Sequence, residues 1–281
     1  MQKPRGQTIP PKYGKRNASQ APRARGKASR SFRRVNGGDG RGKGKFRLAP
    51  KFATVLIIAH RGAHTPEVPG VRANTVEAFR AARATADGVE LDVRRTADGV
   101  LVVVHDPLVD GEPVAARAYA ELPGWLPTLT EALEACTGLR YVDVEVKNAP
   151  HEPGFDAGTG LAEEVARAAR SRTVTSFHLP TVDAVRAAGA ERTGWLTLPG
   201  YDQLEAVGTV AARGHSVIAP PDAATDERLV SAAHERGLEV VVWTVNDPDR
   251  VAQLAGFGVD VCVTDRPALA RAALPATRPP A

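Results

Sequence analysis

Cysteine is scarce in this 281-residue chain: Cys136 and Cys262 lie far apart in apolar surroundings, with no CxxC or other ligand-like spacing. That excludes a disulfide framework and a cysteine-based metal knot, and it predicts two buried, reduced thiols of the kind a cytoplasmic protein carries. Long hydrophobic runs are missing too. Val55-Leu56-Ile57-Ile58-Ala59 falls far short of the ~18 apolar residues of a membrane span. No stretch near the N-terminus has the apolar core of a secretory signal, so a cytoplasmic location with no transmembrane segment is expected. Acidic residues are nearly absent before position 51, where Asp39 stands alone against 15 Lys and Arg. From Lys51 onward 22 Lys and Arg face 31 Asp and Glu, so the overall net charge of +5 averages a basic tail and a mildly acidic globule.

Residues 1–52 are rich in Gly, Pro, Ser, Lys and Arg and have no apolar periodicity, which predicts a disordered basic tail. Three readings of it stay open. It is a solvated extension, or an electrostatic arm for nucleic acid or an anionic membrane surface, or the product of a start codon placed too far upstream. Met1 is the chain's only methionine, so a start at Val35 or Val55 would leave no internal Met to betray it. A short C-terminal tail, 276–281, is expected at the other end.

Between them, 53–275 alternates strand-like and helix-like segments. Strands are predicted at 55–60, 89–94, 101–105, 141–147, 173–177, 193–198, 216–219, 239–245 and 259–263. Helices are predicted near 75–86, 130–136, 160–170, 181–188, 201–213, 226–236, 248–255 and 267–273. The Ala97-Asp98-Gly99 turn makes the third strand a hairpin return from the second. Eight strand–helix units in one domain point to a (β/α)8 TIM barrel. A doubly wound open sheet is the runner-up, disfavoured because no Gly-rich phosphate loop follows the first strand.

Two of these strands break the apolar run that buried parallel strands normally show. Side chains alternate along a strand, so Glu90 and Asp92 share one face while Val89, Leu91 and Val93 share the other. Asp143, Glu145 and Lys147 likewise oppose Val142, Val144 and Val146. Packing the valine faces under the helices turns the carboxylates into the barrel, near its C-terminal mouth. Two carboxylates ~5 Å apart at an effective dielectric of ~20 repel by ~3 kcal/mol, so three carry on the order of 10 kcal/mol. They protonate, pair with cationic side chains, or hold a cation; the all-oxygen set Glu90, Asp92 and Glu145 suits Mg²⁺ or Ca²⁺ better than zinc. His60 ends the first strand in register with Leu56 and Ile58, hence inward, and the hairpin brings His105 beside the Glu90/Asp92 pair. Two imidazoles beside a metal-bound phosphodiester would supply one base and one acid. Arg61 and Lys147 add positive charge for phosphoryl oxygens. His64, His151, His215 and His234 have loop or helix contexts and are expected at the surface.

In order along 55–270, these residues resemble the glycerophosphodiester phosphodiesterase family. The pieces are His60-Arg61-Gly62, Asn74-Thr75 with Ala78-Phe79, Glu90-Leu91-Asp92-Val93, Thr96-Ala97-Asp98-Gly99, Val103-Val104-His105-Asp106 and Glu145-Val146-Lys147. Further on come Ser176-Phe177, Trp243-Thr244-Val245-Asn246, Gly258-Val259-Asp260, Thr264-Asp265 and Pro267. Each is weak alone; the ordered set is specific. The resemblance implies a TIM barrel with a divalent cation, Mg²⁺ or Ca²⁺, at Glu90, Asp92 and Glu145. It implies acid/base roles for His60 and His105, with Arg61 and Lys147 on the phosphate. The reaction implied is attack of the substrate glycerol's 2-hydroxyl on phosphorus, then hydrolysis of the cyclic phosphate to sn-glycerol 3-phosphate and a free alcohol. Trp243 is expected at the mouth, against substrate or as a core aromatic. Two other readings remain: a lysophospholipase D-type enzyme at a membrane surface, and a non-catalytic binding barrel.

Three departures stand out. Ala73 replaces the glutamate expected before Asn74-Thr75, with Glu67 as a possible substitute in a lengthened loop. His178 stands where an acid is expected after Ser176-Phe177. The connection from His105 to Pro127 is short.

Overall fold

The computed structural model describes residues 54–274. The predicted tails 1–52 and 276–281 lie outside them. Eleven strands and eight α-helices follow in chain order among the described residues. The first units are β1 (Leu56–His60), α1 (Val76–Ala82), β2 (Gly88–Arg95), β3 (Leu101–Val103), β4 (Leu108–Val109), β5 (Glu112–Pro113), α2 (Leu129–Ala135) and β6 (Tyr141–Val146). Then come α3 (Gly160–Ala168), β7 (Thr173–Ser176), α4 (Leu179–Ala187), β8 (Arg192–Leu196), α5 (Gln203–Ala212), β9 (Val217–Ala219) and α6 (Glu227–His234). The last are β10 (Glu239–Val242), α7 (Pro248–Phe257), β11 (Val261–Thr264) and α8 (Pro267–Ala272).

Eight strands pair in parallel in the order β1-β2-β6-β7-β8-β9-β10-β11, and β1 pairs with β11 to close the barrel. β3 lies antiparallel on β2, Val93 opposite Val103 and Arg95 opposite Leu101, as the Asp98-Gly99 turn requires. Alternation sorts the side chains into two layers. Leu56, Ile58, Leu196, Val217, Val241 and Val261 fill the barrel interior. Val89, Leu91, Val93, Val142, Val144 and Val146 face outward against Phe79, Leu129, Leu161 and Val165 of the helices. Each such side chain contributes roughly 1.5–3 kcal/mol by leaving water.

Local chemistry sets the helix starts. Thr75 Oγ1 accepts from Ala78 N at the head of α1. Thr128 and Glu131 form a reciprocal capping box on α2, a device that contributes about 1 kcal/mol. The helix read as 75–86 stops at Ala82, and the strand read to His105 stops at Val103. Beyond Val103 the chain leaves the sheet: Val104 N still reaches Asp92 O at 2.9 Å, but His105 lies in a bend. The Pro/Gly-rich segment that follows carries the two-strand β4–β5 turn and a small core of its own, Val102, Val104, Val109, Val114, Leu122 and Leu126.

Candidate active site

The His60-Arg61-Gly62 turn ends β1 with Arg61 and Gly62 both at positive φ, 58° and 80°. Gly62 is required twice over. Its φ disfavours a side chain, and a Cβ there would sit 2.7 Å from Ala78 of α1. The close approach lets Arg61 donate its backbone N–H to Glu90 Oε2 (3.0 Å) and accept at its carbonyl from Asn74 N (2.9 Å). Asn74, itself at φ 58°, donates Nδ2–H to Asp92 Oδ2 at 2.7 Å.

Glu90, Asp92 and Glu145 are all buried, and one oxygen from each lies within 4.8 Å of the others. Two cations face them. Lys147 Nζ is 2.5 Å from Glu145 Oε1 and 2.9 Å from Asp92 Oδ1, and Arg61 Nε is 3.2 Å from Asp92 Oδ2. Part of the repulsion is thus met by an ion-pair network, but three negative charges against two leave a deficit that falls on Glu90. Burial, then the charges of Asp92 and Glu145, push the Glu90 carboxyl well above the usual carboxylate range. Burial also raises Glu145. At Asp92 burial acts upward but Lys147 and Arg61 outweigh it, so its pKa is lowered. Burial works to lower Lys147, yet Glu145, Asp92 and Glu90 prevail and push it up to about 12.

The donor set fits a hard cation. Glu90 Oε1 is buried without a hydrogen-bond partner, and Asp92 Oδ1 and Glu145 Oε1 meet only the Lys147 ammonium. Three buried carboxylate oxygens free of other donors are what Mg²⁺ or Ca²⁺ takes from a protein.

Both histidines reach this cluster. His60 Nε2 lies 3.9 Å from Glu90 Oε2, and its Nδ1 bonds Asp265 Oδ1 at 2.6 Å. His105 bonds Asp106 through Nδ1 at 2.7 Å, and its pKa is lowered by burial first and by Lys147 second. Arg94, inward-facing like Glu90 and Asp92, holds the His105 carbonyl with Nε (2.9 Å) and Nη2 (2.7 Å) while Nη1 pairs Glu152 at 2.9 Å. Trp243 stands half-buried across the mouth, edge-on to Phe177 at 5.2 Å, its indole N–H on Ala219 O. The Phe177 ring lies 5.8 Å from Lys147 Nζ.

The structure also corrects several expectations. His64 is not a surface residue: its Nε2 is buried 3.8 Å from Asp265 Oδ1. His215 is buried between Thr193 and Asp183, and His234 bonds Asp260; only His151 is exposed as expected. These rings turn inward from their loops and helix ends: His215 to Thr193 of β8, and His64 and His234 to Asp265 and Asp260, which flank the two ends of β11. Glu67 does not replace the missing glutamate; its carboxylate accepts from Ala268 N at the start of α8. His178 begins α4, half-buried, bonded to Thr181 and edge-on to Phe155. Asn74, Arg94, Asn246 and Asp265 also belong to the site, and residue type and spacing alone do not single them out. Extending the Glu90–Asp92 alternation by one step would have found Arg94.

Fold and site together define a barrel hydrolase acting on phosphoric diesters. The chain belongs to the glycerophosphoryl diester phosphodiesterase family, whose model matches residues 60–269. It is 28% identical over 237 residues to the Bacillus subtilis protein YhdW, covering 76% of this chain and 95% of that one. A solved structure from Silicibacter pomeroyi is similar at TM-score 0.67 and 27% identity, over 80% of this chain and 94% of its own. The glycerophosphodiester phosphodiesterase of Thermotoga maritima is similar at TM-score 0.63 and 26% identity, over 76% and 96%.

Proposed function

We propose that the chain hydrolyses glycerophosphodiesters, with a divalent cation, to sn-glycerol 3-phosphate and a free alcohol. The observation that carries this reading is the convergence of Glu90, Asp92 and Glu145 with Arg61, Lys147, His60 and His105 at one barrel mouth. Glu90, Asp92 and Glu145 would hold Mg²⁺ or Ca²⁺, which supplies Lewis-acid stabilisation of charge growing on the phosphoryl oxygens.

The chain's own groups account for the remaining chemistry. Arg61 and Lys147 bind and orient the phosphate, and Lys147 remains charged throughout the physiological range. In the first step one imidazole takes the proton of the glycerol 2-hydroxyl as its oxygen bonds phosphorus. The other imidazole protonates the departing alcohol oxygen as its bond to phosphorus breaks. In the second step water bonds phosphorus, the bond to the 2-oxygen breaks, and the two imidazoles exchange roles. Each transfer contributes about 10²–10⁴-fold. Phe177 and Trp243 wall the side of the mouth next to Lys147 and support an orienting role for Trp243 against the substrate. The two free, buried cysteines, their thiols pushed up to about 12 by burial, favour the cytoplasm as its compartment.

The test measures glycerol 3-phosphate release from glycerophosphocholine with Mg²⁺, with Ca²⁺ or with chelator, for wild type and His60→Ala. Chelation is expected to abolish turnover, and the substitution to lower it by about 10²-fold or more. Rates indifferent to both would sink the mechanism, and no release under any of these conditions would favour a non-catalytic barrel. Leu108, three residues from His105, and Leu198 and Tyr201 beyond β8 are exposed at 45%, 44% and 46%. Those exposed apolar side chains favour lysophosphatidylcholine as a second substrate, to be run in parallel for the lysophospholipase D reading.

A further inference from the structure

β1 and β11 pair with Ala59 opposite Thr264, so the next residues along, His60 and Asp265, come off neighbouring strands side by side. The barrel's closing seam thus joins groups 205 residues apart in sequence. Both Asp265 oxygens are engaged. Oδ1 accepts from His60 Nδ1 at 2.6 Å, and Oδ2 accepts from Asn246 Nδ2 at 2.7 Å. Asn246 is itself oriented, because its Oδ1 accepts from Asp265 N (2.9 Å) and Thr264 Oγ1 (3.1 Å). The amide therefore cannot turn over without losing three bonds at once. A carboxylate only accepts, so the His60 nitrogen facing it must carry the ring's proton. The other nitrogen, Nε2, is the one on the Glu90 side. His105 has no comparable support in its aspartate: Asp106 is its chain neighbour, with a side chain 75% exposed.

We infer that Asp265, braced by Asn246, is a positioning residue that locks neutral His60 in its Nδ1–H tautomer and leaves Nε2 as the proton-accepting nitrogen in the site. Its catalytic consequence rests on the diesterase reading above; the tautomer itself does not. The Asp265 carboxyl, held down to about 2 by the His60 hydrogen bond first and, against the effect of burial, by Asn246 as well, is ionised wherever the enzyme would work.

The test uses the full chain labelled with ¹⁵N at histidine, with His60→Gln to assign the ring. Long-range ¹H–¹⁵N spectra are recorded at about pH 8.5, above the ordinary imidazole range. Wild type is expected to show His60 with its proton on Nδ1. In Asp265→Asn the amide can donate to Nδ1, so the proton should move to Nε2. With glycerophosphocholine the same variant should lose about 10²–10⁴ in kcat, the scale of a misplaced tautomer, while KM changes less than about threefold. Asn246→Ala, which leaves the Asp265–His60 bond intact, should retain the Nδ1–H form as the minor loser of about tenfold in kcat. A wild-type ring protonated on Nε2, or one tautomer unchanged by Asp265→Asn, overturns the inference. The tautomer switch in a wild type that releases no glycerol 3-phosphate would refute the diesterase reading and still uphold the lock.

Discussion

Glu90 has one carboxylate oxygen on the Arg61 backbone amide and the other, Oε1, buried without a donor. Without a cation its charge is opposed by burial and by Asp92 and Glu145, so the isolated side chain holds a proton more tightly than a free carboxylate does. Glu90→Gln removes that repulsion and, on the proposed reading of the site, also removes a ligand. The variant should therefore melt higher than wild type in chelator, yet gain nothing from Mg²⁺ or Ca²⁺. Wild type at a cation concentration of about 100 Kd should gain about 2.7 kcal/mol, a rise in Tm of roughly 5–10 °C for a domain of this size. Thermal melts with and without cation check it; an equal rise in both proteins would remove Glu90 from the ligand set.

At the scale of elements, the loop from β1 to α1 does two jobs. Its first turn packs Gly62 on Ala78 and sets both Arg61 and Asn74, so one close contact orders the groups that hold Glu90 and Asp92. Gly62→Ala forces a Cβ against backbone atoms that cannot step aside and strains a positive φ. It should cost about 1–3 kcal/mol in urea unfolding and lower turnover through misplaced Arg61. Gly99→Ala, also at positive φ but with open space around it, should cost less and leave turnover unchanged. The loop's far side ties Glu67 to α8, and Arg271 of α8 reaches back to Asp87 before β2. These contacts bridge the seam where β1 meets β2 and β11.

The whole barrel buries a second polar network beneath the site. Tyr141 donates to Glu239 at 2.6 Å, Arg192 reaches both Glu239 oxygens, and Thr175 donates to Asp143 at 2.9 Å. Burial outweighs the Thr175 bond and lifts Asp143 from 3.8 to about 7. The folded protein then keeps a proton that the unfolded chain has lost, so stability falls as pH rises from about 4 to about 7 and the loss persists above. Asp143→Asn, whose Oδ1 can still accept from Thr175, should lack that slope. It should exceed wild type at pH 8 by on the order of 2–4 kcal/mol, read from urea unfolding at several pH values; identical pH profiles would contradict the assignment. No described helix is long and apolar enough to cross a membrane. Of the three readings of residues 1–50, the electrostatic arm built from their 15 Lys and Arg is the one under which the full chain binds anionic vesicles at low salt, a chain starting at Lys51 does not, and added salt releases the first; equal binding by the two chains would count against it.

Alternation decided much of this protein at the level of sequence. Val89, Leu91 and Val93 against Glu90 and Asp92, and the same pattern around Glu145, placed the carboxylates inside a parallel barrel, because a strand has only two faces and helices cover the apolar one. His60 was legible for the same reason, because it closes β1, whereas His105 was reached through the Asp98-Gly99 hairpin and lies in a bend just past the end of β3. Periodicity could not say which distant residues become neighbours. Asp265 and Asn246 come to His60 through strand register at the closing seam, Asn74 comes to Asp92 through a positive-φ turn, and Arg94 supports His105 only because the chain leaves the sheet at Val103. Glu67 and His178 carried charge or polarity that read as possible site chemistry, and packing instead committed them to helix starts. Local sequence dictates which way a side chain faces. Who stands opposite it is decided by closure of the barrel, where the pairing free energy belongs to the whole ring of strands.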